Sequence, residues 1–187
     1  MLEYLEKVDE ALFLFLNGLH NAFFDFIMYW ASDQLFWIPF YAWLAFFLFR
    51  KFGKMAWRYY FLIALMIVAS DQLSSHLIKN WVLRPRPSHV AALATRIHLS
   101  KAGPGGEYGF VSGHASNSFA LAVFLVLTLP KGYKPLKILL LAWASLVSYS
   151  RIYNGVHYPG DVIGGVLVGT LLAILFARVG IIKLAIS

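Results

Sequence analysis

Five apolar runs, each close to the length needed to cross a lipid bilayer, leave this chain few folds to choose from. They cover 35–50, 57–78, 114–130, 136–152 and 160–179. A helix needs about 20 largely apolar residues to span the hydrocarbon core, where each backbone polar group must be satisfied within the segment. Charged residues make up 13% of the chain, well below the roughly 25% of soluble domains. The expected fold is an all-α integral membrane bundle of six helices. Five are clear spans. The sixth, over 11–31, is rich in aromatics but carries Asn17, His20, Asn21 and Asp25. It reads as a span, with an interfacial helix as the alternative. No internal repeat breaks the pattern, and residues 1–187 read as a single domain.

The basic residues orient the bundle. Arg50, Lys51, Lys54 and Arg58, then Lys131, Lys134 and Lys137, and finally Arg178 and Lys183, fall at same-side ends of successive spans. The positive-inside rule assigns that side to the cytoplasm. Arg84, Arg86, Arg96 and Lys101, in the opposite loop 80–112, run against this bias and are read as part of a site. The formal charge of +7 comes with no dense basic tract beside aromatic platforms, which argues against a nucleic-acid partner. Cysteine is absent, so disulfides and thiolate metal sites are excluded. The acidic start, Met-Leu-Glu-Tyr-Leu-Glu-Lys-Val-Asp-Glu, predicts no cleaved signal peptide. The glycines of Gly160-x-x-x-Gly164 and Gly165-x-x-x-Gly169 predict close helix packing.

Three polar clusters interrupt the apolar pattern, all on the face opposite the basic loops. In the first, Lys79 is followed by Arg86 between Pro85 and Pro87, which stop the helix and hold the chain extended. A guanidinium grips phosphate oxygens in pairs, and an ammonium serves as a point charge. Asp71, Ser75 and Lys79, four apart, share one helix face expected to line a polar pocket. In the second, Ser112 is a candidate N-cap, and the free N–H groups around Gly113 form a natural phosphate cradle with His114 at its mouth. In the third, Pro159 suits a first helical position, which puts Asp161 in the first turn and His157 just ahead of it. A carboxylate there fixes the tautomer of the histidine and leaves its other nitrogen free to attack. Arg151 adds a further phosphate ligand. Cations, a helix-start anion site, two histidines and one carboxylate are the inventory for phosphoryl transfer without a metal, and in so apolar a chain the phosphate belongs to a lipid.

These residues resemble the type-2 phosphatidic acid phosphatase superfamily, whose signature is Lys-x6-Arg-Pro, Pro-Ser-Gly-His and Ser-Arg-x5-His-x3-Asp. The chain matches at Lys79, Arg86 and Pro87, at Ser112, Gly113 and His114, and at Ser150, Arg151, His157 and Asp161. Val111 replaces the proline of the second motif, a change expected to loosen the helix entry without removing a reacting group. The resemblance implies that His157 attacks phosphorus, Asp161 holds its ring, and His114 protonates the leaving oxygen and then activates water. Lys79, Arg86, Arg151, Ser112 and the Gly113 N–H would hold the phosphate. It implies no cofactor, no metal and no obligatory protein partner. The expected location is the bacterial inner membrane with the site facing the periplasm or cell exterior. Among substrates, undecaprenyl diphosphate is favoured. Lipid A, phosphatidylglycerophosphate and phosphatidate are the alternatives, a second lipid could replace water as acceptor, and the reading from another class is a non-catalytic binder or transporter of anionic lipids.

Overall fold

The computed structural model describes residues 2–185, with side chains from 3 to 180, and among the described residues it is all helical. Helices α1 (Leu2–Gly18) and α2 (Ala22–Ser32) form a bent pair, followed by α3 (Ile38–Phe52) and α4 (Ala56–Asp71). A π-helical stretch, Gln72–Ile78, carries α4 into the short α5 (Lys79–Val82). After the long loop come α6 (Gly113–Thr128), α7 (Lys134–Tyr153) and α8 (Pro159–Ala185).

Two helical stretches, Ile38–Val82 and Pro159–Gly180, are long and apolar enough to cross a membrane. The first is a hairpin. Gly53, at φ 55°, reverses the chain, Phe52 stacks on Tyr59 at 4.4 Å, and Tyr60 Oη donates to the Ala45 carbonyl at 2.6 Å. In a straight helix residues 45 and 60 would lie about 22 Å apart. The expected runs thus correspond to α3, α4 with its extension, α6, α7 and α8.

The stretch 11–31 departs from a single continuous span. Helices α1 and α2 meet at an angle of 117°. The side chain of Asn17, buried, donates to the carbonyls of His98 and Tyr153 at 2.9 and 2.8 Å, and Asn21 Oδ1 accepts from the Phe24 N–H to cap α2. The polar residues noted in the sequence therefore build the elbow instead of lining a lipid-facing rod.

Helix α6 sits at the centre, packed on α8, α7 and α4. Its approach to α8 depends on the small residues expected there. A Cβ at Gly165 would collide with the Ser112 carbonyl, and one at Gly169 with the Ser116 carbonyl. On the outer side of α8, Ile163, Leu167, Leu171 and Leu175 recur every four residues and are all exposed, an apolar stripe suited to lipid.

The basic loops collect at one end of the bundle. Lys51 Nζ lies 5.2 Å from the centre of the Tyr133 ring, Phe47 packs edge-on to the same ring, and Gly180 abuts Leu62. Lys183 lies outside the described side chains. The polar clusters occupy the opposite end. With Cys introduced into this cysteine-free chain at the exposed positions Ala102 and Gly132, an impermeant thiol reagent should label Ala102→Cys in intact cells and Gly132→Cys only after permeabilisation. Labelling of both from one side contradicts the orientation.

Candidate active site

The three clusters, separated by tens of residues in sequence, meet at one end of α6. The loop after α5 is set by Leu83, whose left-handed φ of 53° ends the helix, and by Pro85, which pairs with Tyr108 in an isolated antiparallel bridge. Two further bonds fix this segment. Arg86 N–H donates to the Glu107 carbonyl at 3.0 Å, and Gly109 N–H to the Arg84 carbonyl at 2.8 Å. Arg86 is thereby buried, its Nε donating to the Tyr108 carbonyl at 3.0 Å. Gly105 (φ 71°) lies so close that a Cβ there would come within 2.5 Å of the Arg86 guanidinium.

The third cluster behaves as its spacing predicts. Asp161, in the first turn of α8, is fully buried. Its Oδ2 accepts from the Tyr158 N–H at 3.0 Å and lies 3.2 Å from His157 Nδ1. His157 is also buried. Burial, followed by the charges of Arg86, Arg151 and Lys79, holds its ring well below the ordinary histidine value. The imidazole is therefore neutral at pH 7, and the Asp161 carboxylate beside Nδ1 favours the tautomer that leaves Nε2 unprotonated.

Arg151, buried at the end of α7, donates from an amino group to Ser32 Oγ, while its Nε has no protein partner. Lys79 is half-buried, and its ammonium interacts electrostatically with Arg86, Asp161, Asp71 and Arg151. The face Asp71–Ser75–Lys79 holds in part. Ser75 Oγ donates to Asp71 Oδ1 at 3.0 Å, although the stretch is π-helical where a regular α-helix was expected. The same hydroxyl abuts Gly113, where a Cβ would come within 2.9 Å of it.

Ser112 is the N-cap residue by position, but its side chain makes no cap bond. Its Oγ is buried without a partner, and its N–H is already spent on the Asp161 carbonyl at 2.9 Å. The cradle is accordingly narrower than expected: it comprises the Ser112 hydroxyl and the first-turn N–H groups from Gly113 onward, which have no acceptor within the helix. Val111, in place of the motif proline, is buried beside Gly164, so packing fixes the entry that the missing ring leaves free. His114 Nε2 lies 3.2 Å from the Ser32 carbonyl.

Two contributors escaped sequence reasoning. Ser32, at the end of α2, contacts both Arg151 and His114, and no motif marks it. Asp9, on α1, joins Asp161 in gripping Arg84, each at 2.8 Å. Arg84 thus lies beside the His157–Asp161 pair, as a partner of carboxylates. Arg96 instead faces Glu10 at 3.7 Å, and Lys101 is exposed on the loop.

The spacing also gave no hint of the group His20, Asp25 and His98, whose potential ligand atoms lie within 4.8 Å of one another. Its two rings are stacked, 4.0 Å apart and 6° from parallel, whereas a shared metal must lie near the plane of both. In this arrangement the group is a clasp, with Asp25 Oδ1 accepting from Tyr153 Oη at 2.7 Å and lying 2.8 Å from His98 Nε2.

Beneath His114 and Ser32 a cavity of about 460 Å³ opens between α3, α4, α6 and α7. Trp37, Tyr41, Leu44, Ile63, Leu121 and Trp143 line its apolar part.

Comparison with known proteins finds membrane lipid phosphatases. The chain is 38% identical to a lipid A 4'-phosphatase of Bacteroides thetaiotaomicron, over 90% of this chain and 75% of that one. It is 35% identical to the lipid A 4'-phosphatase of Porphyromonas gingivalis, over 91% and 72%. The crystal structure of a transmembrane PAP2-type phosphatidylglycerolphosphate phosphatase from Bacillus subtilis superposes with a TM-score of 0.71 at 25% identity, covering 92% of this chain and 84% of that one. These relatives do not support undecaprenyl diphosphate as the favoured substrate. The undecaprenyl-diphosphatase BcrC of Bacillus subtilis covers 91% of this chain and 83% of its own length at only 29% identity. Residues 56–181 match the model of the PAP2 superfamily, and the chain belongs to that superfamily as a membrane lipid phosphatase.

Proposed function

We propose that this protein removes the 4'-phosphate of lipid A, or of a close disaccharide relative, through a phosphohistidine on His157. The observation that carries the chemistry is the buried His157–Asp161 pair surrounded by Arg86, Arg151 and Lys79. A neutral imidazole held by a carboxylate is an oriented nucleophile, and the cations await the charge that grows on the phosphoryl oxygens. The choice of lipid rests on the two lipid A 4'-phosphatases that match nine-tenths of the chain.

The lone pair of His157 Nε2 attacks phosphorus as the bond to the sugar oxygen breaks. His114 gives its proton to that oxygen, exchanging its contact with the Ser32 carbonyl for the substrate. Asp161 balances the positive charge that develops on the His157 ring. His114, now neutral, takes a proton from water as the water attacks the phosphohistidine, which restores His157 and releases inorganic phosphate. Lys79, Arg86, Arg151, the Ser112 hydroxyl and the Gly113 N–H hold the phosphoryl oxygens throughout. These fixed cations supply the stabilisation that a metal ion gives in other phosphoryl-transfer enzymes. The cavity beside His114 takes an acyl chain of the substrate. The whole chain acts as one catalytic unit in a bacterial inner membrane, with the site toward the periplasm.

Purified protein should release phosphate from lipid A at least roughly tenfold faster than from undecaprenyl diphosphate or phosphatidylglycerophosphate, a difference equivalent to about 1.4 kcal/mol in the barrier. Mass spectrometry of the product should place the loss at the 4' position, and excess EDTA should leave the rate unchanged. A preference for the isoprenoid diphosphate refutes the choice of lipid; abolition by EDTA with recovery on adding magnesium refutes the mechanism.

The neutral state of His157 gives a second expectation. Its pKa is lower in the folded protein than the roughly 6.5 of an unfolded histidine, so below that value the unfolded chain binds more protons. Stability therefore rises with pH. The contribution is complete above the unfolded value and is lost as pH falls toward the lowered folded one. Acidification from about pH 7 to 5 should lower the thermal midpoint of wild type more steeply than that of His157→Gln. Equal slopes contradict a buried neutral His157.

A further inference from the structure

We propose that Asp9, on α1 and outside the stretch matched by the family, is a positioning residue for the His157–Asp161 pair and acts through Arg84. This rests on the reading of that pair given above.

The geometry forms one chain of contacts. Asp9 Oδ2 accepts from one amino group of Arg84 at 2.8 Å, and Asp161 Oδ1 accepts from the other at 2.8 Å. Asp161 Oδ2 is left to the Tyr158 N–H and His157 Nδ1. The Arg84 guanidinium lies 4.1 Å from the centre of the Tyr158 ring, which fixes its plane. Asp9 Oδ1 accepts from the Gly160 N–H at 2.8 Å, at the start of the helix that carries Asp161. Gly160 leaves room for this approach, since a Cβ there would come within 2.7 Å of Asp9 Oδ2 and push that carboxylate aside.

Two consequences follow from removing the Asp9 charge. A guanidinium facing a single carboxylate favours the paired, fork-to-fork arrangement. Arg84 freed from Asp9 would engage both oxygens of Asp161 and draw Oδ2 from His157. The charge balance also changes. Asp9, Arg84 and Asp161 together carry a net charge of −1, so Asp161 keeps negative character to offer the ring as it becomes positive. Without Asp9 the cluster is neutral, and that offer weakens in the transition state while the phosphate-binding cations are untouched. Burial alone lowers the Arg84 pKa, but the two carboxylates outweigh it and raise the net value, as expected of a guanidinium shared between two anions.

The test uses the full-length protein and phosphate release from lipid A. Asp9→Asn keeps the size of the side chain and an oxygen for the Gly160 N–H. It should lower kcat roughly tenfold or more while KM stays within about threefold, the pattern of an interaction made in the transition state. Because Asp9 acts through Arg84, the double variant Asp9→Asn/Arg84→Gln should be no slower than Arg84→Gln alone. Asp9→Glu, which restores the charge, should recover part of the rate, and the thermal midpoint of Asp9→Asn controls for folding. Unchanged kcat in Asp9→Asn overturns the proposal, as do penalties that multiply in the double variant. So does a loss that tracks unfolding and is not relieved by Asp9→Glu. Asp161→Asn separates the two levels. If it is inactive while Asp9→Asn is normal, only the positioning role fails; if it is fully active, the reading of the pair fails first.

Discussion

Two buried guanidinium groups without carboxylates of their own set the terms for the rest of the structure. Arg86 and Arg151 are 8% and 9% exposed, and among the described residues neither makes an ion pair. Burying an unpaired ion costs several kcal/mol even after relaxation. A protein keeps such groups where a ligand supplies the missing charge, and the neighbouring Lys79, the unpartnered Ser112 hydroxyl and the start of α6 all favour an anion. Asp161, the nearby carboxylate, cannot neutralise them, because Arg84 holds one of its oxygens and the His157 turn holds the other. The pocket is thus a preorganised anion site with the His157–Asp161 pair at its wall.

The membrane makes this arrangement possible. The outward faces of the helices are apolar, and the polar groups are confined to one end, where the loop 83–112 closes over them. Glycines on α8 bring it against the backbone of α6, and that contact fixes Ser112 and Asp161 relative to one another: the Ser112 N–H donates to the Asp161 carbonyl at 2.9 Å. The cavity between α3, α4, α6 and α7 reaches His114 from within the bundle, and its walls are mostly apolar side chains.

Much of this was legible in the sequence because two strong signals carry it. Hydropathy located the helices α3, α4, α6, α7 and α8, and of these the stretches Ile38–Val82 and Pro159–Gly180 are long and apolar enough to cross a membrane. The spacings Lys79 to Arg86 and His157 to Asp161 marked groups that one loop and one helical turn bring together, and the structure does so. The elbow between α1 and α2 was less visible, because Asn17 and Asn21 signal polarity without saying whether it faces water, lipid or protein. Asp9 and Ser32 were hidden for a different reason. Their partners lie 75 to 151 residues away along the chain, and no local periodicity records such a contact. The bond from the Ser112 N–H to the Asp161 carbonyl was invisible for the same reason, being a tertiary contact outside the reach of helix-start rules.

The central claim is that His157 bears the phosphoryl group and His114 moves the protons. It is tested most directly by rapid quench of the purified protein with a radiolabelled aryl phosphate, whose good leaving group departs without protonation. His114→Ala should accumulate protein-bound phosphate that is labile to acid and stable to base, because water is no longer activated, and His157→Ala should accumulate none. Label on the His157→Ala variant, or an aryl phosphate turned over normally by it, would contradict the account.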